Sequence, residues 1–167
     1  MERLTVFSEE ILLTENRQGK KNLKSDQSLL IILIGAISTI PDEIFTRILV
    51  FLGIGKYSVY QLASLIVTLN RPDFILGAVS SAEAGGVIAL MFYYTLKKVG
   101  PKYLLIKGLM ISLLGWSFLE LLFTWLIEGT HLIPPRPISD YYIEMCGALL
   151  FGLVMGLLFK RYSIFKR

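Results

Sequence analysis

With one cysteine and one histidine among 167 residues, the chain has little from which to build a metal centre or a covalent frame. Cys146 cannot close an internal disulfide, and in an apolar run a free cysteine reads as a small packing residue. His131 has no histidine or cysteine near it at metal-ligand spacing. The chain also lacks a phosphate-binding glycine loop and a nucleophile–base motif. No catalytic residue, cofactor or metal is therefore expected, and the chain reads as a non-enzyme. Charge is scarce too, at 18% of residues. The net +4 arises from lysines and arginines that flank apolar runs instead of forming a groove, and no recognisable module accompanies them. That pattern excludes nucleic acid as the expected partner and leaves the lipid bilayer. Residues 1–27 mix acidic and basic groups without a long apolar core, so no cleavable signal peptide is expected and the first span should act as its own insertion signal.

What is abundant is apolar: 54% of residues, with a mean hydropathy of +0.62. Apolar residues concentrate in runs approaching the ~20 residues that cross a hydrocarbon core. These runs predict an all-α bundle of four transmembrane helices at about 29–52, 75–96, 103–127 and 141–159. The transmembrane domain is bounded as 28–160, between a cytoplasmic tail over 1–27 and a basic tail over 161–167. The second span follows Arg71-Pro72-Asp73, where Asp73 can cap the helix. The third follows Gly100-Pro101, and the fourth follows the stiff loop Pro134-Pro135-Arg136-Pro137. Basic residues cluster in the N-terminal flank (Arg17, Lys20, Lys21, Lys24), the loop between spans two and three (Lys97, Lys98, Lys102) and the C-terminal tail (Lys160, Arg161, Lys166, Arg167). The other two loops hold only Lys56, Arg71 and Arg136. The bias predicts a plasma-membrane protein with both termini in the cytoplasm.

Between spans one and two, Ser58–Asn70 is too short to cross at ~1.5 Å per residue. Ser58-Val59-Tyr60-Gln61 reads as a capping box, and Ser58, Gln61, Ser64 and Thr68 mark a polar stripe, so a short interfacial helix is expected there. Trp125, Tyr141 and Tyr142 fit an aromatic belt on the outer side, and Tyr94, Tyr103 and Tyr162 one on the inner side.

Span one is the most informative stretch. At ~100° per residue, Gly35, Thr39, Asp42, Glu43, Thr46 and Arg47 share one stripe, with Ile34, Ile37, Ile44, Phe45 and Ile48 opposite. The polar stripe must face protein or water, because an ionisable group at mid-bilayer costs at least ~2.5–3.5 kcal/mol. Pro41 leaves two readings open: a continuous kinked helix, or a span broken to present a helix N-terminus in the membrane. From the outer ends of their spans, Arg47 lies ~7 Å deep, Glu120 ~10 Å, Glu83 ~12 Å and Glu43 ~13 Å. Asp42, Glu43, Arg47, Glu83 and Glu120 are thus expected to form one polar cluster in the outer half, with Arg47 compensating Glu43, its i,i+4 neighbour. Such a cluster either locks the four helices together or forms part of a proton- or cation-coupled site. Small residues recur every fourth position at Gly77, Ser81 and Gly85, and again at Ala148, Gly152 and Gly156, as in closely packed membrane helices.

The four-span region, with Gly35 in span one, Tyr103, Lys107-Gly108 and Trp116 in span three and Gly152 in span four, resembles the small, uncharacterised four-span membrane proteins of Gram-positive, spore-forming bacteria. The resemblance implies a bacterial cytoplasmic membrane and no particular activity. The expected function is that of a non-enzymatic accessory or interaction bundle, with a membrane-protein partner or a homo-oligomer in view. The alternative is a small proton- or cation-coupled transporter or channel subunit.

Overall fold

The computed structural model describes residues 2–129, 133–162 and 164, with side chains from Gln27 onward. His131, Lys166 and Arg167 lie outside the described residues. The described residues form α-helices joined by short loops: α1 (Glu2–Phe51), α2 (Val59–Thr68), α3 (Phe74–Val99), α4 (Leu104–Phe123) and α5 (Ile138–Arg161). A stretch of π-helix, Thr124–Glu128, continues α4. Gln27–Phe51, Phe74–Val99, Leu104–Glu128 and Ile138–Arg161 are each long and apolar enough to cross a membrane, and α2 is a short apolar helix between the first two.

Local signals explain the element boundaries. Asp73 caps α3 by accepting from the Leu76 N–H at 2.8 Å, leaving one fewer orphan donor in its first turn. The α5 helix starts directly after Pro137, whose fixed φ suits a helix entry. Pro41 does not break α1, which runs unbroken past it to Phe51; the continuous reading of span one is the one adopted.

Between lipid-soluble helices the hydrophobic effect supplies little drive, so association depends on close packing. The α1–α3 crossing is close. A Cβ built on Gly85 would sit 2.7 Å from the Gly35 carbonyl oxygen, and one on Gly35 would overlap the Gly85 carbonyl. On α5, a Cβ at Gly152 would lie 2.8 Å from the Gly108 carbonyl of α4, and one at Gly156 would lie 3.0 Å from Leu105. Gly77 lies against the Tyr60 carbonyl, which lets α2 approach α3. Ser81 and Ala148 are buried as well.

Two cores result. At the end of the bundle that carries the chain termini, Ile31, Ile34, Phe92, Leu96, Met155 and Phe159 pack into an apolar plug, with the Phe92 and Phe159 rings 5.0 Å apart. Ile34, expected on the lipid side of α1, belongs to this plug because α3 and α5 cover that face too. At the opposite end, Leu62 and Leu65 of α2 pack on Phe123, Ile127 and Ile133.

Candidate functional site

The α2 end holds the polar chemistry, and its centre is a loop residue. Pro134, Pro135 and Pro137 restrict the chain around Arg136, whose side chain is fully buried in the bundle. Its Nε donates to Glu128 Oε1 at 2.6 Å, its Nη1 to Glu144 Oε1 at 2.6 Å, and its Nη2 to Glu120 Oε1. Glu128 also accepts from the Tyr141 hydroxyl at 2.9 Å. The guanidinium carbon lies 4.4 Å from the Phe123 ring centroid and 4.7 Å from that of Tyr141. The planar fork of arginine suits three acceptors in different directions, which the compact ammonium of lysine cannot match. Burial opposes the charge, but Glu144, Glu128 and Glu120 outweigh it and hold the Arg136 pKa above its ordinary value.

A second cluster ties α1 to α2. Glu43 Oε1 accepts from Arg47 Nε at 2.7 Å and from the Ser58 hydroxyl at 3.0 Å. Glu43 Oε2 accepts from the Tyr60 N–H at 2.8 Å. The carboxylate therefore satisfies a donor in the first turn of α2, where the helix dipole also favours negative charge. Gln61 accepts from the Ser58 N–H at 3.0 Å, the reciprocal bond of a capping box. Thr46 accepts from the Val59 N–H, and Ser64 from the Asp73 N–H. The polar groups of α2 thus turn into the bundle: partners on α1 and before α3 replace water. Asp140 Oδ1, at the start of α5, accepts from the Lys56 N–H at 2.9 Å and fastens the α1–α2 loop across the bundle.

Between these clusters lies a cavity of about 170 Å³, walled by all five helices. Its lining includes Thr39 and Asp42 of α1, Leu62 of α2, Ser81 and Gly85 of α3, Trp116, Glu120 and Phe123 of α4, and Glu144, Ala148 and Phe151 of α5, with Arg136 at the rim. Asp42 and Ser81 are buried. Asp42 Oδ1, Ser81 Oγ and the Trp116 indole N–H have no hydrogen-bond partner. Gly147 makes room for Asp42, since a Cβ there would overlap the carboxylate.

The residues expected to form one cluster are accordingly distributed over separate settings. Glu43 and Arg47 form a pair, Glu120 belongs to the Arg136 network, and Asp42 lines the cavity. Glu83 is exposed on α3, and no described side chain bonds to it. Arg136, Glu128 and Glu144 were not singled out from sequence, because a basic residue in a short loop reads first as a topology signal. The available sign was spacing: acids at 120, 128 and 144 bracket the arginine in steps of eight, within a loop that prolines hold close to the helix ends. Among the described residues no group of histidine, cysteine and carboxylates is arranged to hold a metal ion. No protein family, curated protein or solved structure matches the chain.

Proposed function

We propose that this chain is a non-enzymatic accessory or interaction bundle of a bacterial cytoplasmic membrane, docking a span of another membrane protein against the lipid-facing side of α3. One observation carries the reading. Leu76, Val79, Val87 and Tyr94 are exposed along a single stripe of α3, and Glu83 is exposed in their midst. By rise per residue it lies about 14 Å from Phe74 and about 24 Å from Val99. On α4, Ile106, Met110, Leu114, Phe118, Leu121 and Trp125 are exposed and none carries a charge. A carboxylate held toward lipid at that depth costs at least ~2.5–3.5 kcal/mol, which a donor on a neighbouring span offsets. A second copy brought face to face would set carboxylate against carboxylate. The partner is therefore a different span carrying a lysine, arginine or amide at matching depth. The Arg136 and Glu43 networks support a locking role for the polar half, since each ties two or more elements together.

The competing reading, a proton- or cation-coupled transporter, draws on Asp42 in its cavity. The apolar plug from Ile31 to Phe159 weighs against it, because it offers a moving ion no polar group. Lys107, near that end of α4, donates to the Gly100 carbonyl.

Photo-crosslinking in native membranes tests the docking reading. A crosslinker at Val79 or Val87 should give one discrete adduct with another membrane protein, lost on Glu83→Leu, while one at Leu114 should label only lipid. Self-adducts alone, or an adduct indifferent to Glu83→Leu, would reject it.

A further inference from the structure

We propose that the cavity at the α2 end is a binding site for a small primary ammonium ion with a compact apolar body, anchored by Asp42. This goes beyond the docking role of α3, since it concerns the interior of the bundle and makes no use of Glu83. The argument starts from polar atoms that the fold buries and does not satisfy. Burying an acceptor without a donor costs roughly 1–3 kcal/mol, and more when the group is charged. Such groups therefore persist where a function uses them. Asp42 is 8% exposed and Ser81 6% exposed. Asp42 Oδ1 and Ser81 Oγ both lack a partner, and both residues line the same cavity.

The charge of the lining sets the sign of the ligand. Arg136 is the one cation among the lining residues, which also include the acids Asp42, Glu120 and Glu144. Its Nη1 and Nη2 are already committed to Glu144 and Glu120, and its Nε to Glu128 outside the cavity. Asp42 is thus left as an acceptor that the protein's own cation does not serve. An anion entering here would meet uncompensated carboxylate; an ammonium would meet the carboxylate of Asp42 in the cavity wall. Charge-assisted hydrogen bonds of this kind are about twice as strong as neutral ones.

Size and walls set the rest of the ligand. A cavity of about 150 Å³ lined by aliphatic and aromatic side chains accepts benzene, and this one, at about 170 Å³, is slightly larger. Its remaining surface is mostly aliphatic and aromatic, with Leu62, Phe123 and Phe151 among the walls. The apolar plug at the terminal end makes the cavity a blind one, suited to holding a ligand rather than passing it on.

The test uses the full chain in lipid nanodiscs and fluorine NMR titration of three probes of one shape: para-fluorobenzylammonium, para-fluorobenzyl alcohol and para-fluorobenzoate. The ammonium should bind saturably, the alcohol at least about tenfold more weakly, as expected of losing a charge-assisted bond, and the benzoate not at all. Asp42→Asn should weaken the ammonium to the level of the alcohol, while Glu83→Gln, which also removes a carboxylate, should leave its affinity unchanged. The comparison among probes needs no variant, so it stands even where Asp42→Asn fails to fold. Equal binding of alcohol and ammonium, full affinity in a folded Asp42→Asn protein, or only unsaturable partition into the bilayer would each overturn the proposal.

Discussion

Replacing Arg136 with methionine should be among the most damaging single changes in the bundle. The side chain is fully buried and donates to three carboxylates. Its loss would leave Glu120, Glu128 and Glu144 facing one another at low dielectric. Breaking a buried pair by removing one partner typically costs ~3–5 kcal/mol, and three stranded acids place this site in the upper part of that range. Arg136→Lys should fall between, because one ammonium keeps the charge but cannot reach three acceptors as a fork does. Arg47→Met supplies the contrast. That side chain is half exposed, and Glu43 would keep its bonds from Ser58 and Tyr60. A smaller loss than for Arg136→Met is expected there, because those two donors still serve the carboxylate. The assay is the free energy of reversible unfolding in detergent micelles, read for Arg136→Met, Glu144→Gln and the double variant. The double change should cost less than the sum of the single ones, since one stranded charge leaves with the cation. Strict additivity, with Arg136→Met no worse than a control at exposed Ile138, would refute the claim that the arginine holds this network together.

Two further outcomes follow from the packing and the charge bias. Gly85→Leu should lower stability or abundance well beyond Val87→Leu, because the first forces α3 away from the Gly35 carbonyl while Val87 is exposed; equal melting temperatures would show that the α1–α3 crossing is not close. In a Cys146→Ser background, cysteines at Lys21 and Pro101 should be protected from an impermeant thiol reagent applied outside the cell, while cysteines at Lys56 and Pro135 react; the reverse pattern would invert the orientation drawn from the basic residues.

The spans were legible because bilayer thickness imposes a length on apolar runs, and the ends fall within three residues of 29–52, 75–96, 103–127 and 141–159. The polar stripe of α1 was legible for a related reason: helical periodicity places Gly35, Thr39, Asp42, Glu43, Thr46 and Arg47 together, and all but the half-exposed Arg47 are buried. Periodicity fails where there is no helix. Arg136 sits in a proline-restricted loop with no repeat to say which way it turns, and only the three carboxylates, drawn from two helices and a π-helical turn, determine that it turns inward. Glu83 was hidden by a different effect. Depth along the span grouped it with Glu43 and Glu120, but α1 and α2 cover the Gly77–Gly85 side of α3 and leave the opposite stripe open.

These settings share an imbalance that a net charge of +4 conceals. The surplus cations lie in the tails, in the loops on either side of α2 and around the α3–α4 turn from Lys97 to Lys107, whereas within the spans and the loop folded onto them Asp42, Glu43, Glu83, Glu120, Glu128, Asp140 and Glu144 find ion-pair partners only in Arg47 and Arg136. Glu43 and Asp140 are served by backbone N–H groups, and Glu120, Glu128 and Glu144 share one guanidinium. Asp42 and Glu83 remain, one turned into a cavity and the other toward lipid. A fold in which the other acids of the spans find an internal donor and these two do not has placed its unmet acceptors at two distinct surfaces. Both call for a partner of the same sign, a cation or a strong hydrogen-bond donor, but of different kind: a small molecule that fits inside for Asp42, and a neighbouring helix for Glu83.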